Sequence, residues 1–454
     1  MSGNKDYKAT KRSGSQRTEG RIRNMALPAS FLSENSTLYK ILWYCVCLFL
    51  ALIFIAVTSS KAPQENSYKT SFFDGTFQNA FEDELLKKPF IVALKKLKNE
   101  YEFKLFDKVN VDGFYAGKDN YIFIEDRTKA AFGDDYYGEK AINDEVRKAK
   151  YVQTKLNDMG IQLLILFAPV KSTTYSDMLP DYVLETKKKT TNYETYSKEC
   201  EEQGVNFIDF VKYFRILKSR QPQYPLFSRY GSHWSYYAEC IAVDTTIKKM
   251  EALMGVRLPH LHFGDIQLRD TSLVRDADIF RRMPLDVPKG NVLAYPAEMG
   301  YDEGPGYTPE KVLGIGDSYF RCFFYLGAME KAFGDGEQWY YNNSIIPEDP
   351  NNPEVWQLDL KNEIIKYKGI ILMCNEVNLK NLGDGFIDEA YLLFSNPDRY
   401  YAERKQKYDL NMQKKEIRDN KPYVSRLEKD AQQMGITLDS LITLKATENL
   451  EKNR

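Results

Sequence analysis

Ile142, Val146, Ala149, Val152, Leu156 and Met159 recur at three- and four-residue spacing, which predicts a one-faced helix ending at Gly160. The next stretch, Ile161–Ala168 (IQLLILFA), is almost continuously apolar and stops at Pro169, the pattern of a strand covered on both faces. A second unit repeats the plan: a polar helix around Thr190–Gln203, then Gly204 and the short strand Val205–Ile208. A third helix is expected from near Ser235 to Met254, with further strands at Lys311–Ile315 and Gly369–Met373. Such alternation predicts an α/β three-layer sandwich around a mostly parallel central sheet. Ligands gather at the carboxyl ends of strands in such sheets, which directs attention to the residues after Ala168, Ile208, Ile315 and Met373.

The pattern is different at the amino end. Ile41–Ser60 (ILWYCVCLFLALIFIAVTSS) contains no charged residue, glycine or proline, and as a helix it would reach about 30 Å, one hydrocarbon core. It reads as one transmembrane helix preceding the sandwich; a cleaved signal peptide has a shorter apolar region. Lys5, Lys8, Lys11, Arg12, Arg17, Arg21, Arg23 and Lys40 outweigh Asp6, Glu19 and Glu34 before it, so residues 1–40 are expected to form a cytoplasmic basic tail with the remainder facing outward. The expected order is then a stalk and entry helix over 61–116, with an amphipathic run at Leu85–Leu97, a catalytic body over 117–422, and a charged helical tail over 423–454.

Charge adds little. The chain has 63 basic and 64 acidic side chains among 454 residues, a formal net charge of −1, so no global attraction for nucleic acid is present. The six cysteines include no CxxC pair, which leaves a structural zinc site and metal chemistry generally without sequence support. Cys45 and Cys47 fall in the apolar run; Cys200, Cys240, Cys322 and Cys374 could pair in an oxidising compartment or serve as small buried hydrophobes, and apolar neighbours favour the second reading.

Gly316-Asp317-Ser318-Tyr319-Phe320 follows the strand Lys311–Ile315 and precedes an apolar run suited to a buried helix. A strand, a tight turn and a helix lift a serine hydroxyl to the sheet edge beside backbone N–H groups that can hold an oxyanion. A helix-capping serine gives the same local pattern. A nucleophilic serine needs a base, and the chain has three histidines: His233, His260 and His262. His233, in Tyr230-Gly231-Ser232-His233-Trp234-Ser235 just before a helix, is the candidate; a histidine packed at a helix start is the alternative. Three further residues follow strands: Lys171 as a cationic donor to substrate oxygens, Asp209 as an acid for the imidazole, and Asn375. Asp317 is expected to shape the serine turn.

GDSYF after an apolar strand, the Ser-His-Trp segment upstream, and Leu166–Pro180 (LFAPVKSTTYSDMLP) together resemble the SGNH-hydrolase-like domain of the alginate and exopolysaccharide O-acetyltransferases. In that family the histidine motif precedes the serine motif, as here. The resemblance spans roughly Gly117 to Pro397, with weaker echoes at Gly117–Phe123 and Asp276–Met283. It implies a serine acyl-enzyme on Ser318 with His233 as base, a polysaccharide acceptor, an oxyanion-hole role for Asn375, no bound cofactor, and a multispanning membrane-bound O-acyltransferase as acetyl donor. One departure is plain: the family's motif is Asp-x-His-Trp, and Gly231 stands where the orienting aspartate belongs. An acid from another loop, Asp209 by position, or a backbone carbonyl would have to take its place. A glycan acetyl esterase uses the same residues, and a catalytically inactive scaffold of a polysaccharide-modifying complex is the reading that Gly231 favours.

Overall fold

In the computed structural model, the described residues are 40–41, 43–49, 51, 87–270, 275–279 and 291–452. The chain divides into two units, Met1–Lys95 and Lys96–Arg454. In the first, residues 40–41, 43–49 and 51 are helical, and the rest of the expected 41–60 span lies outside the described residues, as do nearly all of the basic tail and residues 61–86 of the expected stalk and entry helix. Among the described residues no helix is long and apolar enough to cross a membrane.

Among its described residues the second unit has ten strands: β1 (Phe114–Ala116), β2 (Ile122–Ile124), β3 (Gln162–Ala168), β4 (Phe207–Asp209), β5 (Leu261–Arg269), β6 (Leu293–Tyr301), β7 (Val312–Gly316), β8 (Glu337–Tyr340), β9 (Ser344–Ile346) and β10 (Gly369–Asn375). Six form the central sheet in the order β4-β3-β10-β7-β8-β9. All its pairings are parallel except the β8–β9 edge. Strand β10 sits in the middle, with Asn375 level with Ala168 on one side and Met373 level with Gly316 on the other. The ends of β3, β7 and β10 therefore open onto one edge.

The continuous apolar run of β3 has the meaning its pattern predicts. Leu164, Leu166 and Ala168 enter one core cluster, while Leu163, Ile165 and Phe167 enter the other. Strand β10 divides likewise, with Ile371 and Met373 on one face and Ile370, Leu372 and Cys374 on the other. Both faces are thus covered, which makes the three-layer α/β architecture. The predicted helix is observed as Glu139–Asp158, burying Ile142, Val146, Ala149, Val152 and Leu156. Met159 ends it and is exposed. The polar helix is Asn192–Gln203, started by a reciprocal cap between Thr191 and Glu194. Ser235 caps Tyr236–Met254. Cys240 and Cys322 lie in one core cluster, Cys200 and Cys374 in the other, where a small apolar side chain fits.

Two small antiparallel pairs complete the unit: β1–β2, and the hairpin-like β5–β6, whose connection contains residues 275–279. At the carboxyl end, Pro397–Asp419, Lys421–Met434 and Leu438–Lys452 are helices that share a small core of Ile417, Leu427, Ala431, Leu441, Ile442 and Ala446.

Candidate active site

Strand β7 ends at Gly316, whose φ of +149° and close approach to the Met373 carbonyl exclude a side chain. The chain then turns sharply. Asp317 caps the short turn Ser318–Arg321 through the Tyr319 N–H (2.8 Å). The buried helix expected next is only the single turn Cys322–Tyr325. The Asp317 carboxylate is buried and also accepts from the amides of Asn375 (2.6 Å) and Asn378 (2.8 Å). Burial pushes its carboxyl above the ordinary range, opposed by the hydrogen bonds from Tyr319 and Asn378. Asp317 is therefore the strut of the turn, and Ser318 is left half-buried at the sheet edge.

The histidine loop is held by its tryptophan. Trp234 is buried against Phe210, Phe214 and Tyr319. Ser235 ties the loop to the Pro225 carbonyl at 2.7 Å. The His233 ring lies 5.0 Å, centroid to centroid, from Tyr319, the residue after the serine. Its Nε2 is 2.7 Å from Ser318 Oγ, and its Nδ1 is 3.1 Å from Asp278 Oδ2.

Asp278 is the acid that the sequence reading did not assign. It lies in the connection between β5 and β6, in the Asp276–Met283 stretch. Asp276 is anchored by Tyr295 Oη of β6 at 2.9 Å, while Ala277 and Ile279 are buried with Ile122 and Tyr230. Between two buried apolar residues, Asp278 points the other way, toward the imidazole. Its oxygens accept from the Ser232 N–H (2.6 Å) and from the Ser232 hydroxyl. Burial works to raise the Asp278 carboxyl, but the hydrogen bonds from His233 and Ser232 outweigh it and hold the group well below the usual carboxylate range. An ionised carboxylate only accepts, so Nδ1 carries the proton and Nε2 is left to accept from the serine hydroxyl.

Gly231 accounts for the relocation. A Cβ there would lie 2.8 Å from the Asp276 carbonyl oxygen and 3.0 Å from its carbon. The backbone that delivers Asp278 occupies the space that a side chain at the motif's acid position would need.

Two other expectations are corrected, and Asn375 is found supporting the serine turn. Asp209 does not serve the imidazole: it caps the helix Phe210–Arg220 through Lys212 N–H (2.8 Å) and accepts from Tyr193 (3.0 Å) and Ser197 (2.8 Å). Lys171 is engaged within the fold. It is buried, donates to the carbonyls of Ile122 (2.7 Å) and Arg229 (3.0 Å), and burial lowers its pKa to about 7. It clamps β2 to the histidine loop. Asn375 is 5% exposed, and its carboxamide donates to Asp317 and accepts from Val377 N–H, so it holds the serine turn. Arg127, unremarked in the sequence, donates to the Ser232 carbonyl and to Tyr319 Oη (3.2 Å). Glu376, buried after β10, accepts from Val170 N–H and Thr173 (both 2.7 Å), and burial raises its pKa to about 7.

Among the described residues no cluster of histidine, cysteine and carboxylate has metal-holding geometry. His260 and His262 belong elsewhere, beside Glu251 and Asp302 at the base of the β5–β6 pair.

Residues 115–263 match the family model described as the SGNH hydrolase-like domain of acetyltransferase AlgX. That match makes the segment similar to the SGNH hydrolase-like domain. The SGNH-like match contains His233; Ser318 and Asp278 lie beyond it. Solved structures similar to this chain include the O-acetyltransferase domain of Pseudomonas putida AlgJ, at 15% identity over 62% of this chain and 99% of that one, with a TM-score of 0.38. Pseudomonas aeruginosa AlgX is similar at 12% identity over 62% and 67%, TM-score 0.40, and Bacillus cereus PatB1 at 9% over 58% and 95%, TM-score 0.36. No curated protein matches the chain.

Proposed function

We propose that this protein is an O-acetyltransferase of an exported or cell-surface polysaccharide, working through an acetyl ester on Ser318. The observation that carries the reading is His233 bridging Ser318 Oγ at 2.7 Å and Asp278 at 3.1 Å. Ser318 Oγ attacks the acetyl carbonyl carbon of a donor, its proton passing to His233 Nε2 and then to the departing donor group. In the second half, a sugar hydroxyl gives its proton to Nε2 and attacks the acetyl carbonyl, and Ser318 Oγ leaves with that proton. Asp278 keeps the tautomer and orientation of the imidazole through both halves without itself taking a proton.

The SGNH-like family match supports the acetyl chemistry. The apolar run at 41–60 and the basic residues before it support a single-pass anchor in the cytoplasmic membrane, with the catalytic unit outside it. An anchored enzyme would sit near a multispanning O-acyltransferase relaying acetyl groups from the cytoplasm, at raised effective concentration. The scaffold reading rested on Gly231, and an acid reaching His233 from position 278 removes that ground. The esterase reading differs only in whether water or a sugar takes the acetyl group. Purified protein given a chromogenic acetyl ester with and without an oligosaccharide distinguishes them: acetylated sugar is the expected product, and acetate alone at every sugar concentration would overturn transfer.

A further inference from the structure

We infer that Ser232 is a positioning residue that holds Asp278, the acid standing in for the one missing at Gly231. The inference rests on the proposed catalytic reading and extends it to a residue that touches no reacting atom.

All three polar groups of Ser232 are engaged at the site. Its N–H donates to Asp278 Oδ1 at 2.6 Å, and its hydroxyl donates to Oδ2, lying 3.1 Å from His233 Nδ1. Its carbonyl accepts from Tyr319 Oη at 3.0 Å and from Arg127. Two consequences follow. A carboxylate gripped at both oxygens cannot rotate, so Oδ2 stays aimed at Nδ1. The carbonyl also ties the histidine loop to Tyr319, the residue that follows the nucleophile, so one residue fixes the spacing of acid, base and serine.

The arrangement answers a problem the chain sets itself. An acid two residues before the histidine would share its loop and its register. Asp278 comes instead from the β5–β6 connection, 45 positions along the chain, so the histidine loop's own backbone does not set its angle to the imidazole. The histidine loop supplies the holder of the acid in place of the acid. Arg127 reinforces it, bridging the Ser232 carbonyl and Tyr319 Oη with its guanidinium 5.5 Å from the Tyr319 ring centroid. Ser232 is 6% exposed, so water does not readily stand in for a lost hydroxyl.

The test is a double-mutant cycle on the full-length protein, reading kcat and KM for a chromogenic acetyl ester. Asp278→Ala is expected to lower kcat about 10³–10⁴-fold. Ser232→Ala should lower it about 10–100-fold, the scale of an ångström-sized misplacement, with KM within about twofold. The double variant should be no slower than Asp278→Ala alone, because Ser232 acts through the acid. Tyr319→Phe, which keeps the ring and removes the hydroxyl from the Ser232 carbonyl, should show the same dependence on Asp278 and carries the test if Ser232→Ala does not fold. Losses that multiply in the double variants, or full activity in Ser232→Ala, overturn the inference. Full activity in Asp278→Ala would overturn the triad itself, a separate outcome.

Discussion

Gly231→Ala is a one-carbon change whose cost can be worked from the structure. The new Cβ would meet the Asp276 carbonyl oxygen at 2.8 Å, where ordinary contact begins at 3.4 Å, so about 0.6 Å must be found. Gly231 is not among the residues with positive φ, so the alanine brings no backbone strain of its own and the clash alone decides the outcome. The histidine loop is wedged by buried Trp234, which makes the Asp276–Ile279 segment the side that yields. Moving it by the shortfall would stretch the Nδ1 to Asp278 separation from 3.1 Å to at most about 3.7 Å, which weakens or breaks the hydrogen bond. Misplacement on that scale is expected to cost about 10–100-fold in kcat. The overpacking itself should cost about 1–3 kcal/mol of stability. Ester hydrolysis under saturating substrate, with a urea titration to establish that the variant is folded, measures both. A folded Gly231→Ala protein with more than half the parent kcat would refute the claim that the acid-bearing segment fills the space at Gly231.

Glu376→Gln tests the buried acid behind the site. Its folded pKa of about 7 lies above the ordinary 4.5, so its contribution to stability is fully present below pH 4.5 and is lost as pH rises through 7. The parent should therefore lose about 3 kcal/mol relative to Glu376→Gln between pH 4.5 and pH 8, read from urea midpoints. Parallel curves for the two proteins would contradict it. Asp209→Ala should lower stability by about 1–2 kcal/mol through the lost cap and leave kcat intact; a folded variant without turnover would reinstate Asp209 as the orienting acid.

How far the sequence could be read depended on whether the informative contact was local. The apolar runs of β3, β7 and β10 announce a buried parallel sheet, because strands covered on both faces have no polar alternation to hide them. The pairing of His233 with Ser318 was legible from the scarcity of histidine and the strand-turn geometry around the serine. Asp278 was not, because it reaches His233 by folding back of the β5–β6 connection. Strand β5 carries no clear period: most positions along Leu261–Arg269 are exposed or partly exposed, so neither the pair nor what it delivers stands out. The signal that was present is local and small, an acid between Ala277 and Ile279, two apolar residues that must be buried. Lys171 misled for a different reason. Its position after β3 is right for a site residue, but its buried ammonium is spent on the carbonyls of Ile122 and Arg229, joining β2 to the loop before the histidine.

The most direct measurement of the central claim is the mass of the protein and of its peptides after brief incubation with an activated acetyl ester in the absence of sugar, followed by acid quench. One acetyl group on Ser318, absent in His233→Ala and released when an oligosaccharide is added, is the predicted result. Continued turnover with no acetyl on Ser318, or with the acetyl group on another residue, would contradict it.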